Sequence, residues 1–587
     1  MERKKSQILF NFLPQDTFNH ARNGTIGKVS WIFEDRRSAV GELPVPYILR
    51  RIRPKISQWD NDVPLTASEV ELVSPDDIKF DVFPTVFECR VCSACTPFDD
   101  DRIEQGRPPY CGNCDRRLTD TEQLQFVMVC PCGDIDSVPL PRCNSCNNRN
   151  VRFRRPTSRM RDAYWECLDC APNGYIGHAY EHIDRCHYCG NNRKIKVHSS
   201  STTFYPQLSK FVNINDEDID ILQDSTAYQA QVIAEYLLDD GGDSGNVEID
   251  DAVLEQLDIS EEEYREAQEE AHADIEERRE ELEEWARDAF PDEDRRQISE
   301  ELFEYRSLVD DVDSDIDATT LESLQEAAGQ RADLDRALVD DFLDARDALR
   351  LSEVRLITDF PITTVVYGYS RTEAEPSDGV FLRTFPGEGG GDRMFAMTAE
   401  AEAVMFSLDP EAVIDWLDVN DILHERPEEN VEQWLLERLR QYPYFREVDP
   451  VHDGPAARYT LTLLHTMSHL VINGVDALSG YSKSSLIEYL LPHTLSFVVY
   501  KHTDTDYSLG AMHTLAEKRF RELGDYIQNE GDVCIYDPVC EHEENAACED
   551  CLYISNIACD NGNHNLSRST LYGGEFDGET IAGFLDV

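Results

Sequence analysis

Hydrophobic and polar positions change rhythm several times along the chain. Alternating stretches at Val29-Ser30-Trp31-Ile32-Phe33 and Lys79-Phe80-Asp81-Val82-Phe83 predict strands in residues 1–88, a β-rich N-terminal segment. From Glu261 to Phe290 the apolar positions Tyr264, Ala267, Ala271, Ile275, Leu282, Trp285 and Ala289 recur mainly at helical spacing. They predict a long helix with a narrow apolar face, ended by Pro291. Around them, residues 201–350 form an acidic helical region, read as a solvated hairpin or partner-facing helices. Residues 351–455 are mixed α/β, with a strand expected at Thr363-Thr364-Val365-Val366-Tyr367-Gly368-Tyr369. The run Pro386-Gly387-Glu388-Gly389-Gly390-Gly391-Asp392 reads as a mobile loop. Residues 456–587 alternate again: helix over Leu461–Asn473, strand over Leu495–Tyr500 and helix over Met512–Gln528, followed by a cysteine cluster.

A chain of 587 residues, at roughly 150 per domain, accommodates about three to five domains. The expected fold class is α+β multidomain. Residues 89–200 are set apart by their cysteines. No apolar run approaches the roughly 20 residues needed to span a bilayer, and the apolar start at Ile8–Leu13 is too short for a secretory signal, so a cytoplasmic protein is expected.

Charge changes this picture. Asp and Glu number 116 against 55 Lys and Arg, a net charge of −61, yet 41% of residues are hydrophobic. That composition describes a folded protein with an acidic surface and not a disordered tail. The acids are diffuse and Lys is scarce relative to Arg, which resembles proteins of salt-loving cells of the haloarchaeal kind. Concentrated salt screens the self-repulsion of such a surface. The rival reading is a surface that binds basic proteins or mimics nucleic acid.

Eighteen cysteines fall in two blocks, Cys89–Cys189 and Cys534–Cys559. Most form C-x-x-C pairs, which in a reducing compartment points to zinc. Two thiolates on a tight turn reach one tetrahedral ion, and a second pair closes the shell. Spacing suggests Cys167 and Cys170 with Cys186 and Cys189, a four-cysteine zinc ribbon. Cys111 and Cys114 join two of Cys89, Cys92 and Cys95. Cys130 and Cys132 fall with Cys143 and Cys146. The last set is Cys534, Cys540, Cys548 and Cys551, with Cys559 left over. Three to four zinc ions per chain follow, in closed shells that favour structure over catalysis.

No P-loop and no nucleophile elbow occur, so no ATPase or esterase is expected. His465 and His469 stand one helical turn apart, but Thr466 occupies the place where a zinc hydrolase carries its Glu base. They read as a hydrogen-bonded core or interface pair, with a metal-dependent hydrolase or nuclease as the alternative. Against the acidic background, Arg149, Arg152, Arg154, Arg155, Arg159 and Arg161 form a basic island around Phe153. Arginine forks match phosphates and aromatic rings stack on bases, so the island is the candidate DNA contact. Internal pairing with the acidic helices is the competing account.

The C-terminal stretch resembles a helicase-associated domain of unknown function that ends in a zinc-binding cysteine cluster. The matching pieces are Leu463–His469, Gly480–Leu486, Leu509-Gly510, Cys534–Cys540, Ala547–Cys551 and Cys559–Arg568. Upstream, Phe83-Pro84 before Cys89, Phe126–Cys130 and Ser199–Pro206 resemble the DrmB family, the non-motor subunits of DISARM anti-phage systems. The resemblance implies a non-catalytic accessory subunit that engages DNA beside a DrmA-like helicase, and it favours Cys89 and Cys92 as ligands over Cys95. The chain departs from the family pattern at Cys130-Pro131-Cys132-Gly133-Asp134, where the family shows Cys followed by Gly-His, and at Leu509-Gly510-Ala511. A stand-alone zinc-ribbon nucleic-acid-binding protein is the remaining alternative.

Overall fold

The computed structural model describes residues 4–20, 24–35, 43–98, 111, 113–114, 121–213, 216–238, 261–309, 316, 318–323, 333–387, 389–427, 430–439, 442–501, 510–543 and 545–587. The protein is a mixed α+β chain. It falls into two compact units, one built from residues 1–211 and 363–398, the other from 212–362 and 399–587.

The first unit opens with a short helix, Lys5–Asn11, and strands β1 (Thr17–Asn19), β2 (Ile26–Glu34), β3 (Val70–Val73) and β4 (Pro75–Val82). Strands β1, β2 and β4 form one antiparallel sheet. A helix at Val45–Ile56 interrupts the strands. Its Tyr47, Ile48 and Ile52 are buried, giving the segment a helical component beside the expected strands.

Next come β5 (Val86–Cys89), β6 (Cys95–Pro97), β7 (Thr121–Gln123), β8 (Phe126–Val129), β9 (Ile135–Ser137), β10 (Val151–Arg154), β11 (Tyr164–Cys167), β12 (Tyr175–His178), β13 (Lys194–Val197) and β14 (Tyr205–Val212). One sheet runs β12-β11-β10-β6-β5-β7 and a second β13-β8-β9. Phe126, Met128, Val151, Phe153 and Trp165 make their shared core.

The second unit holds β15 (Ala318–Thr320), and two long strands supply residues to both units: β16 (Leu351–Ser370) and β18 (Asp392–Leu408). Between them, β17 (Phe385–Pro386) pairs antiparallel with the start of β18. The glycine run therefore turns a hairpin, closed by Gly387 N–H donating to Gly391 O at 2.7 Å; Glu388 lies outside the described residues. Strands β19 (Leu486–Leu491) and β20 (Ser496–Lys501) complete the sheet against the second half of β18.

Behind that sheet lies the helix Pro455–Ser479, longer than the apolar period suggested. Its residues from Ala456 to Ile472 are all buried. Burial on every side removes the amphipathic contrast from which ends are normally read. The helix Ala511–Asn529 packs against it through Leu515, Phe520 and Leu523. The acidic helices gather separately: Thr226–Leu238, Glu261–Ala289 and Asp292–Val309 share a core of Ala230, Ile233, Leu282, Ala286, Phe290 and Leu302. Of the expected stripe Leu282 is buried and Trp285 half-buried, whereas Ile275 is 43% exposed and Ala289 faces solvent. The side chains of Tyr264, Ala267 and Ala271 lie outside the described residues. Among the described residues, no helix is long and apolar enough to cross a membrane.

Candidate metal centres

Sixteen cysteines come together in four groups of four, each able to hold a metal ion. Three of the groups begin from one local device. Cys89, Cys143 and Cys186 each donate a backbone N–H to the carbonyl five residues on, at 2.9–3.0 Å. The residue four positions on donates back to the cysteine carbonyl, at 2.7–2.9 Å. That fourth residue is Ser93, Asn147 or Gly190, all at positive φ. The left-handed residue curls the backbone so that both sulfurs of the C-x-x-C pair face one point. Cys130-Pro131-Cys132 makes the same turn one residue shorter, with Gly133 at φ 91° donating to Cys130 O. Arg383 and Arg371 clamp that shorter turn, donating to Cys132 O at 2.5 Å and Gly133 O at 2.8 Å. A Cβ on Gly133 would meet the Arg383 side chain at 2.3 Å, so packing and its positive φ both favour glycine there.

Antiparallel strand pairing decides which turns share an ion. Cys89 lies opposite Thr121, which brings Cys89 and Cys92 to Cys111 and Cys114. Cys95 instead lies within β6, buried in the sheet core, where burial pushes its thiol up to about 12. Val151 lies opposite Cys167, so Cys143 and Cys146 before β10 meet Cys167, the last residue of β11, and Cys170 beyond it. Val129 lies opposite Lys194, so Cys130 and Cys132 after β8 meet Cys186 and Cys189 before β13. The pairing read from spacing is therefore corrected at two sites: Cys167 and Cys170 do not join Cys186 and Cys189, and Cys130 and Cys132 do not join Cys143 and Cys146. The physical reason is nesting. The β10–β11 hairpin sits inside the loop that β8 and β13 close.

The fourth group, Cys534, Cys540, Cys548 and Cys551, has the membership expected from sequence. Buried Arg568 donates to the Cys540 sulfur at 3.8 Å and to Asp537 at 2.8 Å, placing a cation beside the thiols.

The donor chemistry fits zinc. Facing sulfurs are 3.4–3.8 Å apart within the groups. Zn–S bonds of about 2.3 Å in a tetrahedron put sulfurs about 3.8 Å apart. All eighteen cysteines are free thiols. In each group one sulfur ionises readily while others resist. Backbone N–H groups of Cys146 and Ser145 bring Cys143 down to about 6. Burial opposes ionisation of Cys92, but hydrogen bonds led by Asn113 bring it down to about 7. Burial likewise opposes Cys186, and the N–H groups of Cys189 and Tyr188 bring it to about 7. Neighbouring thiols push Cys170 up to about 12. Four thiolates in one group need a cation among them, and taking it up releases the remaining protons.

The basic island divides. Arg152 and Arg154, on β10, both donate to Glu166 on β11, at 2.8 and 3.0 Å. The Arg152 hydrogen bond, with Arg154 behind it, holds the Glu166 carboxyl below its usual range. Their partner is thus a strand residue of the same ribbon and not the acidic helices. Arg149, Arg155, Arg159 and Arg161 are exposed, and Arg155 lies over the Phe126 ring at 5.1 Å.

His465 and His469 are fully buried on the helix Pro455–Ser479. They meet Glu488 of β19 and Cys559, the cysteine that spacing left over. Burial disfavours their charge, yet Glu488 and Cys559 hold His465 well above the usual imidazole range. Cys559 was legible only as a spare thiol and Glu488 carried no signal; nothing in spacing links them to the histidines.

Residues 4–207 match a family described as a domain of unknown function, DUF8724. That span nearly coincides with the first segment of the first unit. A "DISARM protein DrmB" of Bacillus paralicheniformis is 25% identical over 228 residues. The match covers 35% of this chain and 38% of the length of that relative.

Proposed function

We propose that this protein is a DrmB-like accessory subunit of a DISARM-type anti-phage system, working in the cytoplasm of a salt-loving cell. Similarity to a DISARM protein DrmB carries the reading. In it, zinc fills the four thiolate groups and fixes the ribbons, a structural task, since four sulfurs leave no open position for substrate. The ribbons then present Arg149, Arg155, Arg159 and Arg161 to DNA phosphates, and a separate DrmA-like helicase supplies the motor. The missing P-loop agrees with a subunit that hydrolyses no ATP. A hydrolase built on His465 and His469 would need substrate to reach side chains with no exposed surface, which disfavours it.

The test is co-expression with a DrmA-like helicase. The expected result is a stable complex that binds DNA, protection against phage that is lost without this subunit, and no ATP or DNA hydrolysis by the isolated chain. Failure to co-purify with any helicase, or nuclease activity of the chain alone, would overturn the proposal.

A further inference from the structure

The four side chains His465, His469, Glu488 and Cys559 form a group unlike the thiolate sets. Their donor atoms all lie within 4.8 Å of one another. His465 Nε2 is 3.0 Å from Glu488 Oε1 and 3.3 Å from Cys559 Sγ, and His469 Nε2 is 3.4 Å from Glu488 Oε2. None of the four is more than 1% exposed.

The far side of each ring sets its proton. His465 Nδ1 lies 2.8 Å from the carbonyl of His564 and 2.7 Å from the Tyr442 hydroxyl, which itself donates to that carbonyl. His469 Nδ1 lies 3.0 Å from the Leu552 carbonyl. A carbonyl only accepts, so both Nδ1 atoms carry hydrogen, and an ion entering the group would displace the protons that Glu488 and Cys559 otherwise hold on Nε2, turning Nε2 lone pairs inward. There they face a carboxylate and a sulfur. His469 Nε2 is wholly buried and makes no well-aligned hydrogen bond, its Glu488 contact being long at 3.4 Å. Ser468 donates its hydroxyl to Glu488, and the Asn563 N–H donates to Cys559 Sγ at 3.3 Å, orienting both remaining donors. Histidines anchored through Nδ1 to backbone carbonyls, with oriented carboxylate and sulfur partners, have the outer arrangement of a metal site.

We infer that His465, His469, Glu488 and Cys559 hold a fifth divalent transition-metal ion, zinc, in a closed structural site. Two neutral imidazoles, one carboxylate and one thiolate exactly cancel a dication's charge, which suits an apolar interior where an uncompensated charge is costly. Four protein donors and complete burial leave no position for substrate, so the ion has no catalytic role. It ties the buried helix to β19 and to the segment that follows the last cysteine group.

Metal analysis of the purified full chain tests this, and its outcome is independent of any DNA or helicase partnership. The expected content is five zinc ions per chain, falling to four in Cys559→Ala and in His469→Ala with the circular dichroism retained. In the cobalt-substituted protein, Cys559→Ala should remove about a fifth of the cobalt but only about a seventeenth of the thiolate-to-metal absorption, because one sulfur among seventeen is lost. Cadmium-113 spectra of the unaltered chain need no variant: four resonances from all-sulfur sites and one from a nitrogen- and oxygen-rich site are expected. Four resonances only, or an unchanged zinc content in a folded Cys559→Ala, would mean that the four side chains hold one another through protons, and would overturn the site.

Discussion

The ribbons of the first unit and the cysteine cluster of the second use the same ligands on very different foundations. Among the described residues, the apolar packing around Cys89, Cys92, Cys111 and Cys114 is little more than Ala94 and Leu168. Around Cys130, Cys132, Cys186 and Cys189 it is Phe381. At these two groups the sulfurs are themselves most of the local core. Cys534, Cys540 and Cys551, in contrast, sit at one edge of a continuous core that includes Trp416, Leu463, Met467, Phe497 and Leu571. At those two groups a metal ion therefore takes the place of a hydrophobic core, whereas it only closes off an existing core in the second unit and at Cys143, Cys146, Cys167 and Cys170, which border the core of Phe126, Phe153 and Trp165. Small β modules cannot bury enough apolar surface to offset chain entropy, and an ion bound with an apparent 10–16 kcal/mol or so supplies the difference.

The largest expected effect breaks the comparison if it fails. Cys186→Ser should remove one ion and unfold the turn that carries Cys186 and Cys189, read as early proteolysis between residues 180 and 200. Cys551→Ser should also remove one ion but leave the second unit's cooperative melt in place. Equal unfolding of both units would show that the second core depends on its metal as strongly as the ribbons do.

Double substitutions sharpen the pairing. Cys143→Ser with Cys170→Ser should cost one zinc, because both belong to one group. Cys170→Ser with Cys189→Ser should cost two, because the structure places them in different groups. Zinc counts in the reverse order would restore the pairing suggested by spacing.

A smaller effect separates the two halves of the arginine island. Arg149→Ser, Arg159→Ser and Arg161→Ser together should weaken DNA binding by the assembled complex and make the salt slope shallower by about 2.7, at about 0.9 per phosphate contact. Arg152→Ser with Arg154→Ser should instead leave Glu166 without its partners and cost about 1–2 kcal/mol of ribbon stability. An unchanged salt slope in the first variant would remove the exposed arginines from the DNA contact.

The smallest effect is a pH limb confined to the second unit. Burial would raise the Glu447 carboxyl, but His564 and Arg458 hold it down to about 2, from 4.5. Its stabilising share is complete above about pH 4.5 and is lost as the pH falls from there through about 2. Glu447→Gln should flatten that limb in acid unfolding of the second unit and leave proteolysis of the ribbons unchanged.

Sequence alone determined the local parts. C-x-x-C spacing, followed by Ser93, Asn147 or Gly190, is enough to specify turns that aim two sulfurs at one point, since the geometry closes within five residues. The periods of the strands near Val29 and Lys79 and of the helix ending before Pro291 were legible for the same reason: each repeats over neighbouring positions. The membership of Cys534, Cys540, Cys548 and Cys551 was also readable, because no other cysteine pair competes within that short span. Tertiary structure alone decided which turns share an ion, because register between β8 and β13 joins residues some sixty positions apart and encloses the β10–β11 hairpin. It alone placed Arg152 and Arg154 on Glu166, across one strand pair. It alone brought Glu488 and Cys559 to the two histidines, because strand pairing and helix packing fix such distances through the whole core, while spacing along the chain carries only what a single turn can reach.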